Sequence, residues 1–383
     1  MDAQDKPRIL IISPIAVQYD AISNTARNMY FMLKEQSHLH VDFITAHNEL
    51  PDIPARLVPN AGALLLDPVF RAADVIIYNF GIYHPLLDAV LVGNSRAKQV
   101  VHFHNITPVE LVKENDVPLI ERSFRQLHNL QHADRIWSVS QTNADVLVAH
   151  DIDPAKIEIV PLVVDTPEPR ALRDKPRSPI EIVFVGRAVP AKGLLDGIEA
   201  LGRAAVADAP PIRLSIVGNL AFSDESYIQK CRELVDKLDL QDRVTFCGTA
   251  DDGALQRLYH EAHVLLIPTF HEGFCVPVVE ALRAGCVPIG YKSGNMSNIV
   301  DGLGCLVATG DVDALSDALK RLLAGIRDGL DSTSSPTLPL DRGPTSVSQF
   351  DEMSKSYVSN FTSKTLEALT LKELAKITGI GAV

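Results

Sequence analysis

Two runs of alternating strands and helices, separated by a proline-rich segment, constrain the fold of this chain more than any other feature. In each run the strand segments are largely apolar, as in residues 9–12 and 182–185, which is typical of strands buried on both faces of a parallel sheet. Residues 166–179 between the runs carry four prolines and mixed charge, a composition that predicts a linker without a packed element. The sequence therefore predicts an α/β protein with two parallel-sheet domains.

Domain boundaries follow from this alternation. A length of 383 residues suits two domains with separate cores. We expect a first domain over residues 1–165, the linker over 166–179 and a second domain over 180–345. A Ser/Thr/Pro-rich loop then leads into a C-terminal helical segment over 346–383.

Charge and cysteine content exclude several classes of protein. The 36 Lys and Arg residues against 48 Asp and Glu give a net charge of −12, which argues against a broad nucleic-acid or anionic-lipid surface. The five cysteines form no CxxC pair and are odd in number, so neither a disulfide framework nor a zinc site is indicated. The acidic N-terminus and the lack of an apolar run of ~20 residues predict a cytoplasmic protein, with at most peripheral contact at the inner membrane face.

Residues 262–284 place carboxylates around the start of a helix. An apolar strand over 262–268 leads into a glycine-containing turn, and Pro277 suits the first helical position. Free N–H groups and the helix dipole favour an anion there. Glu272 on the turn and Glu280, about one turn into the helix, can accept hydrogen bonds from sugar hydroxyls, so the pattern suggests a nucleotide-sugar site. The simpler alternatives are an ordinary polar turn and a dipole-complementing Glu280, worth roughly 0.3–1 kcal/mol.

Residues 272–288 resemble the signature of the retaining glycosyltransferases of family 4, Glu-Gly-Phe-x-x-Pro-x-x-Glu-Ala-x-x-x-Gly-x-Pro. Cys275 and Arg283 depart from the usual Gly or Ser and Ala. The resemblance implies the GT-B architecture, in which two Rossmann-like domains face each other across a cleft and the C-terminal helix crosses back to the first. It further implies a nucleoside-diphosphate sugar as donor substrate, with no resident cofactor and no metal.

The resemblance also assigns donor contacts in the second domain. Arg187 and Lys192 match the two cations of a Gly-Arg-x-x-x-x-Lys-Gly stretch that binds the donor diphosphate, although a solvated turn with two surface cations is the alternative. The remaining assignments are the helix start at Cys275 and Val276 for the diphosphate, Glu272 as a catalytic residue that holds the transferred sugar with Gly273 and Phe274, Glu280 for the ribose, and Gly218, Asn219, Cys247 and Gly248 for the nucleoside pocket.

In the first domain, His102 and His104 end a strand and share one of its faces. The resemblance assigns to His104 a catalytic contact with the donor sugar, whereas a structural histidine is the alternative. A metal site lacks a third ligand at sensible spacing. The Asp-x-Asp pairs at 151–153 and 311–313 lie in a turn and at an expected helix N-cap, so we interpret both as structural.

The acceptor side departs most from the family. Residues 14–24 contain no glycine where many relatives have Gly-Gly, and residues 293–299 replace a Gly-Gly-x-x-Glu loop. Asp20, Ser23 and Asn24 are candidate acceptor contacts.

The sequence therefore predicts transfer of a hexose-type sugar to a glycan or lipid-linked acceptor, in surface polysaccharide assembly. A nucleotide-sugar epimerase and a non-catalytic glycosyltransferase-like partner subunit are the alternatives.

Overall fold

The computed structural model describes residues 6–18, 20–205, 211–218, 223–331 and 337–379. The chain divides into two compact units, the first comprising 1–163 with 363–383 and the second 164–362. None of the helices in the described ranges is long and apolar enough to cross a membrane.

The first unit contains a seven-stranded parallel sheet. Its strands are ordered β5-β3-β1-β6-β7-β8-β9, and a short parallel pair, β2-β4, lies outside it. The strands are β1 (Arg8–Ile12), β2 (Ile15–Ala16), β3 (His40–Thr45), β4 (His47–Asn48), β5 (Arg56–Leu57), β6 (Val75–Phe80), β7 (Lys98–Phe103), β8 (Arg135–Ser138) and β9 (Ile157–Ile159). The helices are α1 (Ala21–Lys34), α2 (Ala61–Leu66), α3 (Pro68–Ala72), α4 (Val117–Leu127) and α5 (Gln141–Ala149).

The second unit contains a six-stranded parallel sheet ordered β12-β11-β10-β13-β14-β15, with an antiparallel pair, β16-β17. The strands are β10 (Ile180–Val185), β11 (Ile212–Val217), β12 (Val244–Gly248), β13 (Val264–Ile267), β14 (Val287–Tyr291), β15 (Cys305–Val307), β16 (Leu338–Leu340) and β17 (Gly343–Thr345). The helices are α6 (Leu194–Ala204), α7 (Glu225–Lys237), α8 (Asp252–Glu261), α9 (Val276–Arg283), α10 (Met296–Val300), α11 (Val312–Gly329) and α12 (Val347–Val358). A last helix, α13 (Ser363–Thr378), belongs to the first unit.

Burial on both sheet faces explains the apolar strands. Along β1, Ile9 and Ile11 join one hydrophobic cluster, whereas Leu10 and Ile12 join another. All six residues of β6 and all four of β13 are buried. Since alternate side chains of a strand point to opposite faces, such a strand needs apolar residues at every position. The predicted α/β class with two parallel sheets is confirmed.

Each sheet has one point where the order of its strands reverses. In the first unit the chain runs outward from β1 to β3 and β5, then returns to place β6 on the other side of β1. In the second unit the same reversal lies between β10 and β13. Ligands of open α/β sheets bind beyond the carboxyl ends of the strands at such a switch point.

The segment predicted as an unpacked linker is packed against the second unit. Leu172 is buried, and its N–H donates to Asp351 Oδ1 over 2.7 Å. The buried Lys175 ammonium donates to the carbonyl oxygens of Tyr259 and Ala262 at the end of α8. The prediction failed because the stretch between Pro169 and Pro176 contains no proline, so it forms a short 3₁₀ helix, Leu172–Asp174, and lets individual side chains enter the core.

The C-terminal helical segment is divided between the units, which corrects its predicted extent. Helix α12 packs against α9 in the second unit, and only the chain from residue 363 onward belongs to the first. A 3₁₀ turn at Ser359–Phe361 and extended Thr362 interrupt the helix. Residues 380–383 of the predicted segment lie outside the described residues.

Candidate active site

Two loops meet at the switch point of the second unit. One follows β10 over residues 186–193, and the other follows β13 over 268–275. The Phe270 N–H donates to the Ala191 carbonyl over 2.8 Å. Gly193 has a φ of 65°, and a Cβ there would lie 1.9 Å from the Pro268 carbonyl oxygen. Only glycine therefore permits the two loops to lie this close.

Lys192 and Glu272, which the sequence assigns to the site from different loops, form an ion pair. Lys192 Nζ lies 2.6 Å from Glu272 Oε1, and their side chains are 22% and 11% exposed. A charge-assisted hydrogen bond between partly buried groups fixes both side chains. The pair thus places one cation and one carboxylate at the mouth of the switch point.

The turn that carries Glu272 is held by the loop after β14. The Asn295 N–H donates to the Glu272 carbonyl over 2.9 Å, and Asn295 Nδ2 donates to the Phe274 carbonyl over 3.1 Å. Gly294 has a φ of 49°, and a Cβ there would approach the Glu272 carbonyl oxygen to 2.5 Å. This loop replaces the usual family sequence, yet it supports the backbone of Glu272, Gly273 and Phe274.

The start of α9 lacks a side-chain cap. Cys275, the residue before the helix, has a left-handed φ of 75° and makes no capping hydrogen bond. Pro277 is the second residue of the helix, one position later than predicted, and still lies in its first turn. Pro277 has no N–H and the Val278 N–H donates to the Cys275 carbonyl over 3.1 Å, which leaves the Val276 N–H and the positive end of the dipole for an anionic ligand. Cys275 and Val276 therefore lie where the sequence placed a diphosphate.

Glu280 lies on α9 next to a buried tyrosine. The Tyr259 hydroxyl donates to Glu280 Oε2 over 2.7 Å. Burial raises the pKa of Glu280 to about 7, although the hydrogen bond from Tyr259 acts in the opposite direction. A carboxyl group poised at this pH can be ionised when a ribose hydroxyl arrives to donate to it.

Arg187 extends from the first loop into solvent. The structure records no carboxylate partner for its side chain among the described residues, in contrast to Lys192. The neighbouring Ala188 N–H donates to Ser223 Oγ over 2.9 Å, which fixes the backbone beside it. Arg187 is therefore a cation available to a ligand at the switch point.

The predicted nucleoside-pocket residues lie at the ends of β11 and β12. The Gly218 N–H donates to the Gly248 carbonyl over 3.0 Å, and a Cβ on Gly218 would meet the Gly186 carbonyl oxygen at 2.0 Å. Cys247 is exposed at the same edge. Asn219 lies outside the described residues.

His104 lies in the first unit, just beyond β7. It is 6% exposed, and its Nε2 is 3.3 Å from Asn79 Oδ1. Its ring centroid lies 4.5 Å from that of His102. Burial, reinforced by His102, holds the pKa of His104 well below its usual value, so the imidazole is neutral at physiological pH.

Two of the three candidate acceptor residues stabilise the start of α1. Asp20 is the N-cap, and its Oδ2 accepts from the Ser23 N–H over 2.8 Å and from Ser23 Oγ over 2.7 Å. Ser23 is fully buried, whereas Asn24 is exposed. Asn24 is thus the member of this set that is free to reach a ligand.

The segment that contains this site is similar to a known protein family. Residues 165–327, which contain both switch-point loops and α9, match the family described as "Glycosyl transferases group 1". This segment, here termed the group 1 domain, is similar to that family.

Two curated relatives are similar to the chain over about half its length. The "MMP alpha-(1->4)-mannosyltransferase" of Mycolicibacterium hassiacum is 29% identical over 55% of this chain and 51% of its own. The "D-inositol 3-phosphate glycosyltransferase" of Mycobacterium ulcerans is 30% identical over 55% of this chain and 47% of its own. The chain thus spans about half the length of the curated relatives it matches.

The solved structures show the fold. A glycosyltransferase from Rickettsia africae matches 98% of this chain and 100% of its own, with a TM-score of 0.75 and 17% identity. The architecture is GT-B, as the sequence predicted.

Sequence reasoning missed two supports of the group 1 domain. Tyr259, which holds Glu280, lies on α8 with no distinguishing pattern around it. Asn295 had a signal, because a Ser-Gly-Asn sequence directly follows an apolar strand. In the described ranges, no group of three or more His, Cys, Asp or Glu side chains is arranged to hold a metal ion. Asp311 caps α11, which confirms its structural interpretation.

Proposed function

We propose that the chain is a retaining family 4 glycosyltransferase that moves a hexose-type sugar from a nucleoside-diphosphate sugar to a glycan or lipid-linked acceptor, in surface polysaccharide assembly. The observation that carries this proposal is the convergence of Lys192, Glu272 and the uncapped start of α9 at one switch point. The match of this segment to group 1 glycosyl transferases supports it. The mannosyltransferase activity named for one relative favours a mannosyl donor among hexoses.

The proposed role of Arg187, Lys192 and the α9 start is to stabilise the diphosphate. When the bond between the sugar C1 and the phosphate oxygen breaks, negative charge grows on the leaving group. Two cations and a helix N-terminus fixed in advance stabilise that charge without reorganisation. We therefore expect the reaction to proceed without a divalent metal ion.

Glu272 and Glu280 are proposed to bind hydroxyl groups. Glu280 accepts from the ribose, and Glu272 accepts from the transferred sugar beside Gly273 and Phe274. Because Glu280 ionises near pH 7, donor affinity should rise as the pH passes from 6 to 8.

The proposed transfer retains the configuration at C1. The acceptor oxygen attacks from the face that the diphosphate leaves, a new C1–O bond forms, and the acceptor proton moves to a leaving-phosphate oxygen. His104, neutral in its buried setting, would contact the donor sugar through its imidazole.

The first test of the proposal is whether the protein binds a nucleotide. Thermal unfolding is followed with UDP, GDP, ADP, CDP and dTDP and with their sugars, since a ligand at ~100 times its dissociation constant stabilises the folded state by about 2.7 kcal/mol. We expect a shift with one base that Glu280→Ala abolishes. The preferred donor is then incubated with candidate acceptors, with and without EDTA.

Each alternative function predicts a different result in this experiment. Sugar interconversion without an acceptor would identify an epimerase. A complete absence of nucleotide-induced stabilisation would favour the non-catalytic subunit. Loss of transfer in EDTA, restored by a divalent cation, would contradict only the expectation that the reaction needs no divalent metal ion.

A further inference from the structure

The ring of Phe274 anchors the turn that carries Glu272. Phe274 is 6% exposed, so its side chain is part of the interior of the second unit. Its ring centroid lies 5.8 Å from that of Phe361, with an angle of 74° between the ring planes. Aromatic rings prefer this edge-to-face arrangement because the positive edge of one ring meets the negative face of the other. The contact therefore fixes the ring of Phe274, and with it the backbone next to Glu272.

Phe361 ends the 3₁₀ turn that follows α12, and its own position is fixed at both backbone and ring. It is 7% exposed, and its carbonyl oxygen accepts from the Val164 N–H over 2.8 Å. Its ring centroid lies 5.2 Å from that of Tyr357, with an angle of 67° between the planes. Phe361 therefore offers Phe274 a rigid surface to pack against.

Tyr357 connects these rings to the loop that holds the carbonyl side of the same turn. Tyr357 lies on α12, and its hydroxyl donates to the Ile299 carbonyl of α10 over 2.9 Å. The residue before α10 is Asn295, whose Nδ2 donates to the Phe274 carbonyl over 3.1 Å. The contacts that run from Phe274 through Phe361, Tyr357 and α10 thus return to Phe274. They hold the turn from its ring side and from its carbonyl side.

The groups proposed to bind the diphosphate have other supports. Arg187 and Lys192 belong to the loop after β10. Helix α9 is fixed by its own buried side chains, among them Val278 and Val279. Loss of the Phe361 ring should therefore affect the turn that binds the sugar more than the site of the diphosphate.

We infer that Phe361 is a positioning residue for the transferred sugar, because it holds Glu272, Gly273 and Phe274 in the conformation that binds the sugar hydroxyls. The inference rests on the proposed function and adds to it a determinant of sugar binding from beyond residue 327, where the group 1 domain ends. Phe361 acts through Phe274, since the two rings are in contact. Such a role has a large effect, because misplacement of a binding group by about 1 Å can cost on the order of 10²-fold.

A comparison of two ligands tests the position of the turn. The probes are the nucleoside diphosphate that stabilises the protein, out of UDP, GDP, ADP, CDP and dTDP, and its hexose conjugate. Isothermal titration measures the affinity of wild type and of Phe361→Leu for each. We expect Phe361→Leu to weaken binding of the conjugate about tenfold and of the diphosphate less than about twofold, since only the sugar depends on the turn. Equal losses for the two ligands, or no loss for either, overturn the inference.

Phe43→Leu is the matched control for the loss of an aromatic pair. Phe43 lies on β3 in the first unit, is 2% exposed and packs edge-to-face on Tyr30 with centroids 6.0 Å apart. Both substitutions remove a buried edge-to-face pair, so both should lower the urea midpoint of unfolding. Only Phe361→Leu should change the ratio of the two affinities. The same change of ratio in Phe43→Leu would attribute it to general destabilisation and overturn the inference.

A double substitution tests whether Phe361 acts through Phe274. Phe361→Leu and Phe274→Leu remove the same ring contact. The double variant should therefore lose no more affinity for the conjugate than the more strongly affected single variant. Additive losses would show that Phe361 acts by another route and would overturn the inference.

Tyr357→Phe replaces Phe361→Leu in the titration if the latter does not fold. This milder change keeps the ring that packs on Phe361 and removes the hydrogen bond to the Ile299 carbonyl. We expect the affinity for the conjugate to fall about threefold, with that for the diphosphate unchanged, because one hydrogen bond is lost. An equal change for both ligands, or none, then overturns the inference.

The failure of this inference is distinguishable from that of the proposed function. If no nucleotide stabilises the wild-type protein, the proposed function fails and the inference fails with it. If wild type binds the diphosphate and its conjugate but Phe361→Leu changes both affinities equally, only the positioning role of Phe361 is wrong.

Discussion

Glu280 is the residue whose ionisation should govern both donor binding and stability. Burial raises its pKa to about 7 from a usual 4.5, against the hydrogen bond from Tyr259, which lowers it. Between those pH values the folded protein holds a proton that the unfolded chain has lost. Its contribution to stability is therefore complete below about pH 4.5 and declines as the pH rises through 7.

Replacing Glu280 with glutamine should remove this pH dependence. At pH 8 we expect Glu280→Gln to be more stable than wild type by on the order of 1–2 kcal/mol, since an isolated buried carboxylate no longer forms. Urea unfolding at pH 5 to 8 measures the difference. Glu121→Gln on the exposed face of α4 is the control. Parallel pH curves for wild type and Glu280→Gln would rule out this account of the site.

Lys192 and Glu272 should be energetically coupled before any ligand binds. Their 2.6 Å ion pair is largely buried, so removal of one partner leaves the other without compensation. In a double-mutant cycle of Lys192→Ala and Glu272→Ala we expect the two losses in unfolding free energy to be non-additive by about 1–2 kcal/mol. Additive losses would mean that the pair forms too weakly to position either side chain.

At the scale of elements, the loop after β14 sets the conformation of the Glu272 turn. Gly294→Ala would bring a Cβ to 2.5 Å from the Glu272 carbonyl oxygen and 2.8 Å from its nitrogen. We expect a loss of nucleotide-sugar affinity of at least about tenfold, since displaced backbone moves the carboxylate. The measurement is isothermal titration.

Gly310→Ala provides the matched control for this loop. Gly310 has a comparable left-handed φ of 81°, but a Cβ there would meet nothing closer than 3.9 Å. Both substitutions carry the left-handed strain, so only Gly294→Ala should affect affinity strongly. Equal effects of the two would attribute the loss to strain alone.

Asp351 on α12 fastens the proline-rich segment to the second unit. It is 8% exposed, accepts from the Leu172 N–H over 2.7 Å and pairs with Arg173 Nε at the same distance. Asp351→Ala should lower the free energy of unfolding by about 2–4 kcal/mol, because a buried N–H loses its partner. Asp317→Ala, which breaks an exposed pair with Lys320, should cost less than ~0.5 kcal/mol in denaturant unfolding. Comparable losses in unfolding free energy for the two variants would show that Asp351 does not stabilise the packing of this segment.

At the scale of the whole molecule, the two units repeat one architecture with opposite chemistry. Each is a parallel sheet with a single switch point. The loops at one switch point carry Arg187, Lys192 and Glu272, whereas those at the other are uncharged over residues 13–18 and 79–83. The cations of the second switch point favour that unit as the place where an anionic ligand binds.

Hydrogen exchange should locate the nucleotide on the second unit. On addition of the preferred nucleoside diphosphate, amides of residues 186–193 and 272–278 should be the most strongly protected, because they form the switch-point loops and the α9 start. Mass spectrometry of proteolytic fragments measures this. Strongest protection in residues 13–24 instead would place the nucleotide on the first unit and contradict this prediction.

The sequence alone determined the fold class and predicted a set of candidate donor-site residues. Continuous apolar strands require two covered faces, so residues 75–80 and 264–267 could be assigned to parallel sheets without a structure. Glycine, proline and the spacing of Glu272 and Glu280 are local signals, because backbone geometry and helix rise fix what neighbouring residues can reach. For the same reason Pro277 could be placed at the start of α9, although it is the second helical residue and not the first as predicted.

Only the tertiary structure decided which distant residues support these groups. The contacts of Tyr259 with Glu280, of Asn295 with the Glu272 turn and of Asp351 with Leu172 join separate elements, and no local pattern encodes such a pairing. The division of the C-terminal helices between the units and the packing of residues 172–175 have the same origin. A side chain enters a core when a complementary surface is present, and that surface exists only after the sheets have folded.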